Sequence, residues 1–152
     1  MEALESPRAL ALLLAQLAAT IAMASIAWFV QVVHYPLFSL VVSEAFGLYH
    51  EGHLRRTGWV VTGPMLVEAG TALALVVARP ARVPALLAWA GLALLAVVWA
   101  STVGLQVPAH DRLGRGWDPR VHARLVRTSW IRTAAWTARA ALALAMLAAT
   151  IA

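Results

Sequence analysis

Four long apolar runs, at residues 9–33, 59–77, 84–107 and 130–152, alternate with polar segments of very unequal length. A helix of about 20 residues covers the roughly 30 Å of bilayer hydrocarbon, so each run is long enough to cross it. Backbone groups in lipid must be satisfied within the segment, which makes the runs helices. The prolines agree, because most of Pro36, Pro64, Pro80, Pro84, Pro108 and Pro119 fall near the ends of runs. Pro64 lies just inside the second, where a turn at Gly63 or a kink is expected. The pattern predicts an all-α, polytopic membrane four-helix bundle, with residues 1–152 forming a single integral membrane domain. The first run is longer than a signal core, and the leader before it carries Glu2 and Glu5, so it reads as a retained span.

The connections organise the bundle. Only residues 79–83 separate the second and third runs, whereas 34–58 and 108–129 are long and emerge on the same side. Apolar positions from Leu37 to Tyr49 recur at helical spacing, and Asp118 followed by Pro119 reads as an N-cap and first helical residue. Short interfacial helices are therefore expected in both long connections. All five histidines, His34, His50, His53, His110 and His122, fall on this side. So do Arg55, Arg56, Arg112, Arg115, Arg120, Arg124 and Arg127, against Arg8, Arg79 and Arg82 opposite. The positive-inside rule then places the histidines in the cytoplasm of a bacterial cell and both termini outside the cytoplasmic membrane.

Composition supports lipid as the solvent: 62% of residues are hydrophobic, 12% are charged and the mean hydropathy is +0.76. The net charge of +5 comes entirely from arginine on the basic side, without a recognised nucleic-acid motif, so headgroups rather than nucleic acid are its expected counterpart. Membrane lipid, a lipophilic small molecule and a homo-oligomer are the partners considered. Cysteine is absent, which removes disulfides and thiolate ligands together.

Charge inside the apolar runs points to chemistry. Glu68 and Arg139 each lie nine residues into runs that start from the same side, roughly 13 Å deep, which makes them candidate partners. Arg132, Trp136 and Arg139 share a broad helix face running inward like a cavity wall. Gln31 with His34, and Gln106 with His110, aim an amide and an imidazole at one level. Candidate catalytic residues are His34, His53, His110 and Glu68; candidate substrate-binding residues are Gln31, Arg55, Gln106, Arg132, Trp136 and Arg139. Histidines of this number on one side also suggest a metal site built from His34, His50, His53, His110 and His122, with iron, copper or zinc as its ion.

The blocks His34-Tyr35-Pro36, Glu51-Gly52-His53-Leu54-Arg55, the start of the span from Pro64 to Glu68, Gln106-Val107-Pro108-Ala109-His110 and Ser129-Trp130-Ile131-Arg132-Thr133, followed by Trp136 and Arg139, resemble the DUF1772 and anthrone-oxygenase-like group. The resemblance covers nearly the whole chain. It implies a small four-helix membrane protein, and its oxygenase members oxidise polycyclic anthrones to quinones. The corresponding expectation is a membrane-embedded redox or oxygenase-type enzyme acting on a lipophilic aromatic or quinone-like substrate, with iron, copper or cofactor-free oxygen chemistry. The alternative is a nonenzymatic ligand- or metal-binding protein or an accessory subunit.

Overall fold

The computed structural model describes residues 6–151; Glu2, Glu5 and the final residue of the fourth predicted run lie outside the described residues. Within them the chain is an all-α four-helix bundle: α1 Pro7–Leu40, α2 Ser43–Val77, α3 Ala85–Leu113 and α4 Pro119–Ile151. All four helices are long and apolar enough to cross a membrane.

The helix starts have legible local causes. Ser6 caps α1 by accepting from the Ala9 amide at 3.2 Å, with Pro7 in the first turn. Asp118 caps α4, its Oδ1 accepting from the Arg120 amide at 2.8 Å and the Val121 amide at 3.2 Å. The turn before it ends at Gly116, whose φ of 146° suits glycine.

The expected interfacial helices are not separate elements. The first connection collapses to Val41 and Val42, and from Ser43 the chain runs as one uninterrupted 35-residue helix that absorbs the apolar segment around Phe46. The helix begun at Pro119 likewise runs straight into the fourth apolar run, so α4 has 33 residues. Caps mark where a helix starts, but nothing in residues 50–58 or 127–130 marks a stop, and helix propagation costs less than a new nucleus. Pro64 sits inside α2 with no break at Gly63.

Two other prolines do reshape their helices. Val30–His34 and Thr102–Gln106 are wide π-type turns, just before Pro36 and Pro108. Proline lacks an N–H and crowds the carbonyl four residues earlier, and the wider turn accommodates both defects without ending the helix. Each wide turn carries a glutamine and leads into a histidine: Gln31 and His34 on α1, Gln106 and His110 on α3.

Side-chain contacts fix the antiparallel packing. α1 meets α2 through Gln16 with Glu68 and His34 with His53, while α3 meets α4 through Gln106 with Thr128 and Gly91 with Arg139. Three apolar clusters stack along the bundle: one around Phe38, Phe46 and Leu125 at the histidine end, one around Met23, Val98 and Trp136 in the middle, and one around Leu13, Leu75 and Met146 beyond. Large apolar side chains also cover the outside, including Val77, Leu86, Leu48 and Trp59.

Candidate functional site

The wide turns and the first third of α2 bring four histidines together. His34 Nε2 and His53 Nδ1 are hydrogen-bonded at 2.7 Å, and Thr57 Oγ1 lies 3.1 Å from the same His53 nitrogen. His50 Nε2 meets His110 Nδ1 at 3.0 Å, and the other nitrogen of His110 meets the Tyr35 hydroxyl at 3.0 Å. The two pairs adjoin, with the His53 and His110 rings 5.5 Å apart. His122 stands apart from this row, donating through Nε2 to the Tyr35 carbonyl at 2.8 Å. Phe38, fully buried, packs edge-on against His34, His50 and His53 and holds the row in place.

This arrangement overturns the expected metal site. Among the described residues no group of three or more His, Cys, Asp or Glu side chains is disposed to hold a metal ion, and the chain has no cysteine. The ring nitrogens face one another, Tyr35 and Thr57 in pairs rather than converging on a point. The iron or copper assignment, the wider metal-binding expectation and the oxidoreductase label that leaned on them therefore do not stand. Counting histidines on one side could not distinguish a convergent ligand set from a hydrogen-bonded row.

Beneath the row lies a cavity of about 150 Å³. Its polar arc is Tyr35, His53, Gln106, His110 and Arg132, and its apolar wall includes Met23, Met65, Val98 and Trp136. Two atoms in the arc are buried without a partner: the acceptor Gln106 Oε1 and the donor Arg132 Nε. Buried polar atoms are nearly always paired, so an orphan acceptor and an orphan donor on one cavity wall form a recognition pattern. The same His53 and Thr57 also line an open recess of about 370 Å³ on the outer side, together with His34, Tyr49 and Arg56. His53 is thus shared between the inner cavity and a surface recess.

The remaining sequence-selected residues fall elsewhere. Gln31 is buried and does not line the cavity; its Nε2 donates to the Val126 carbonyl at 3.1 Å, while its Oε1 has no partner. Arg55 is exposed, with its guanidinium 5.9 Å from the Trp59 ring centroid. Glu68 and Arg139 form an ion pair with each other, in a separate buried cluster. Gln16 donates to Glu68 at 2.7 Å, Thr20 donates to its other oxygen, Thr71 donates to the Gln16 amide oxygen at 2.6 Å, and Arg139 also donates to the Gly91 carbonyl. Only a void of about 10 Å³, roughly one water, adjoins this cluster. Trp136 stands between the two polar regions, lining the cavity while its ring lies 5.8 Å from the Arg139 guanidinium.

Sequence reasoning gave no role to Tyr35, Thr57, Gln16, Thr20 or Thr71. Gln16 and Thr20 carry the usable signal: an amide and a hydroxyl four residues apart on one face of an otherwise apolar run.

Comparison of the chain with protein-family models, with curated proteins and with solved structures returns no match. What stands of the resemblance to the anthrone-oxygenase-like group is its coarse content, a four-helix all-α bundle with long apolar helices.

Proposed function

We propose that the chain spans the membrane four times and that its histidine-walled cavity takes a lipophilic molecule bearing an acidic O–H, or a C–H beside a carbonyl, whose proton His53 accepts. The observation that carries this reading is the pair of orphan atoms, Gln106 Oε1 and Arg132 Nε, in a cavity whose remaining wall is mostly apolar, with imidazoles and the hydroxyl-bearing Tyr35, Thr57 and Thr102. Such a wall suits a ligand with an apolar body and a head that both donates and accepts. Arg132 would stabilise the oxyanion left by deprotonation, and a neutral imidazole supplies the nitrogen that takes the proton. His53, hydrogen-bonded to His34 and adjoining the outer recess, gives the proton a way out.

The apolar exterior supports lipid as the surroundings. The arginine asymmetry puts the histidine end in the cytoplasm and the turn bearing Arg79 outside. Because the chain has no cysteine, single-cysteine labelling tests this cleanly. A membrane-impermeant maleimide should label Arg79→Cys but not Arg115→Cys in intact cells, and the opposite pattern reverses the topology.

The chemical test is loss of α-deuterium from a deuterated lipophilic aryl ketone by protein in nanodiscs. General base catalysis predicts exchange about 100-fold or more above empty discs, with loss in His53→Phe. Saturable binding without exchange would make the protein a binder rather than a catalyst. Neither binding nor exchange would remove the cavity as a ligand site.

A further inference from the structure

The cavity's size and its side door narrow the ligand further. A cavity of about 150 Å³ has room for one six-membered ring, since engineered voids of that size hold benzene. It is also below the roughly 300–1,000 Å³ usual for small-molecule sites. Beside it, between α1 and α2, lies a more open groove of about 250 Å³. The two share Ile26, Val30, Thr57 and Val61, so they lie on either side of the same four side chains. The outer groove adds Phe29 and Val60, each 58% exposed and facing away from the bundle. Cavity and groove together reach the usual range, and the groove is a mainly apolar gap on the flank of the bundle, with His34, Arg56 and Thr57 as its polar lining.

We infer, resting on the cavity reading above, that the ligand is an amphiphile with a single-ring, hydroxyl-bearing head in the cavity and an aliphatic tail in the groove between α1 and α2. In the bound, protonated ligand one hydroxyl oxygen meets both orphan atoms, donating to Gln106 Oε1 and accepting from Arg132 Nε; the proton passes to His53 only after that O–H turns away from Gln106. The ring packs on Trp136 and the methionines of the apolar wall. The tail passes between Ile26 and Val61 and lies against Phe29 and Val60. A fused tricycle has no room in the cavity, so the polycyclic substrates suggested by the sequence resemblance do not suit this site.

Four radiolabelled probes test this in phosphatidylcholine nanodiscs, with partitioning into empty discs subtracted: 4-methylphenol, 4-dodecylphenol, dodecylbenzene and 2-anthracenol. Both phenols should bind saturably at one site per chain, 4-dodecylphenol at least tenfold more tightly per mole of lipid. Dodecylbenzene and 2-anthracenol should show no saturable component. Val60→Trp, which fills the groove from an exposed position, should weaken 4-dodecylphenol at least fivefold and leave 4-methylphenol within twofold. Equal affinity for the tailed and untailed phenols, saturable binding of 2-anthracenol, or an equal effect of Val60→Trp on both phenols overturns the tailed-ligand inference while leaving the cavity as a site. Absence of saturable binding by either phenol overturns the cavity reading and this inference with it.

Discussion

The cluster around Glu68 and the cavity beneath the histidines are both polar islands in an apolar bundle, and they differ in how their atoms are used. Around Glu68 the carboxylate oxygens are taken up by Gln16, Thr20 and Arg139, Arg139 spends a further N–H on the Gly91 carbonyl, its Nε alone is left without a partner, and the adjoining void is only about 10 Å³. Beneath the histidines an acceptor and a donor stand unpaired beside about 150 Å³ of space. Burying polar atoms is costly in both places. In the first the protein itself offsets most of the cost, through the ion pair and the bonds from Gln16 and Thr20, which is what a structural clamp requires. In the second the offset is left to a ligand. An orphan atom with no room beside it, as at Arg139 Nε, goes with a structural role; orphan atoms beside space mark binding.

The largest effect that separates the two regions should come from Glu68→Gln. It leaves the Arg139 charge, 3% exposed, without its carboxylate, at a cost of about 3–5 kcal/mol. Reversible unfolding in detergent should show that loss, and adding Arg139→Met should recover part of it. Additive losses in the double-mutant cycle would remove the coupling and with it the clamp.

Phe38→Ala comes next. Phe38 is fully buried among His34, His50, His53 and Tyr35, and emptying that position should cost about 3 kcal/mol. The same unfolding assay should show it, and phenol binding should weaken in parallel because the histidine row loses its support. Unchanged binding in the folded fraction would show that the row is held by its hydrogen bonds alone.

Gln106→Leu sharpens the contrast from the other side. It removes the orphan acceptor and also a hydrogen bond to Thr128 at 3.1 Å, so the unfolding midpoint should move little. Ligand affinity should fall by about 1–3 kcal/mol, because a buried ligand donor then goes unpaired. A large stability loss with unchanged affinity would reassign Gln106 to structure. The smallest effect should be Asp118→Ala, about 1 kcal/mol from the lost cap of α4, read as a lower melting temperature with phenol binding intact.

Apolar runs and proline placement made the four helices legible in the sequence, and equal depth made the partnership of Glu68 and Arg139 legible too. Helix lengths were less so, because a span that continues into the segment before it carries no stop signal: α2 begins at Ser43 rather than at Trp59, and α4 at Pro119 rather than at Trp130. The site was legible as a layer but not as a geometry. His53, His110, Gln106, Arg132 and Trp136 all line the cavity, whereas spacing could not show that Gln31 faces the Val126 carbonyl or that the imidazoles bond to one another. Those outcomes depend on the wide turns before Pro36 and Pro108, which rotate each histidine relative to its glutamine. Tyr35 was hidden for the same reason, since the residue before a proline reads as the end of a helix rather than as part of a cavity wall.

Nitrogen NMR of ¹⁵N-histidine-labelled protein in nanodiscs, titrated with 4-methylphenol, addresses the division between clamp and cavity most directly. Resonances assigned through His53→Phe and His110→Phe should shift saturably in the wild-type chain, and should shift equally in the folded Glu68→Gln, Arg139→Met double variant. Ligand-independent His53 and His110 resonances, or a response that disappears when only the Glu68 pair is neutralised, would contradict the account.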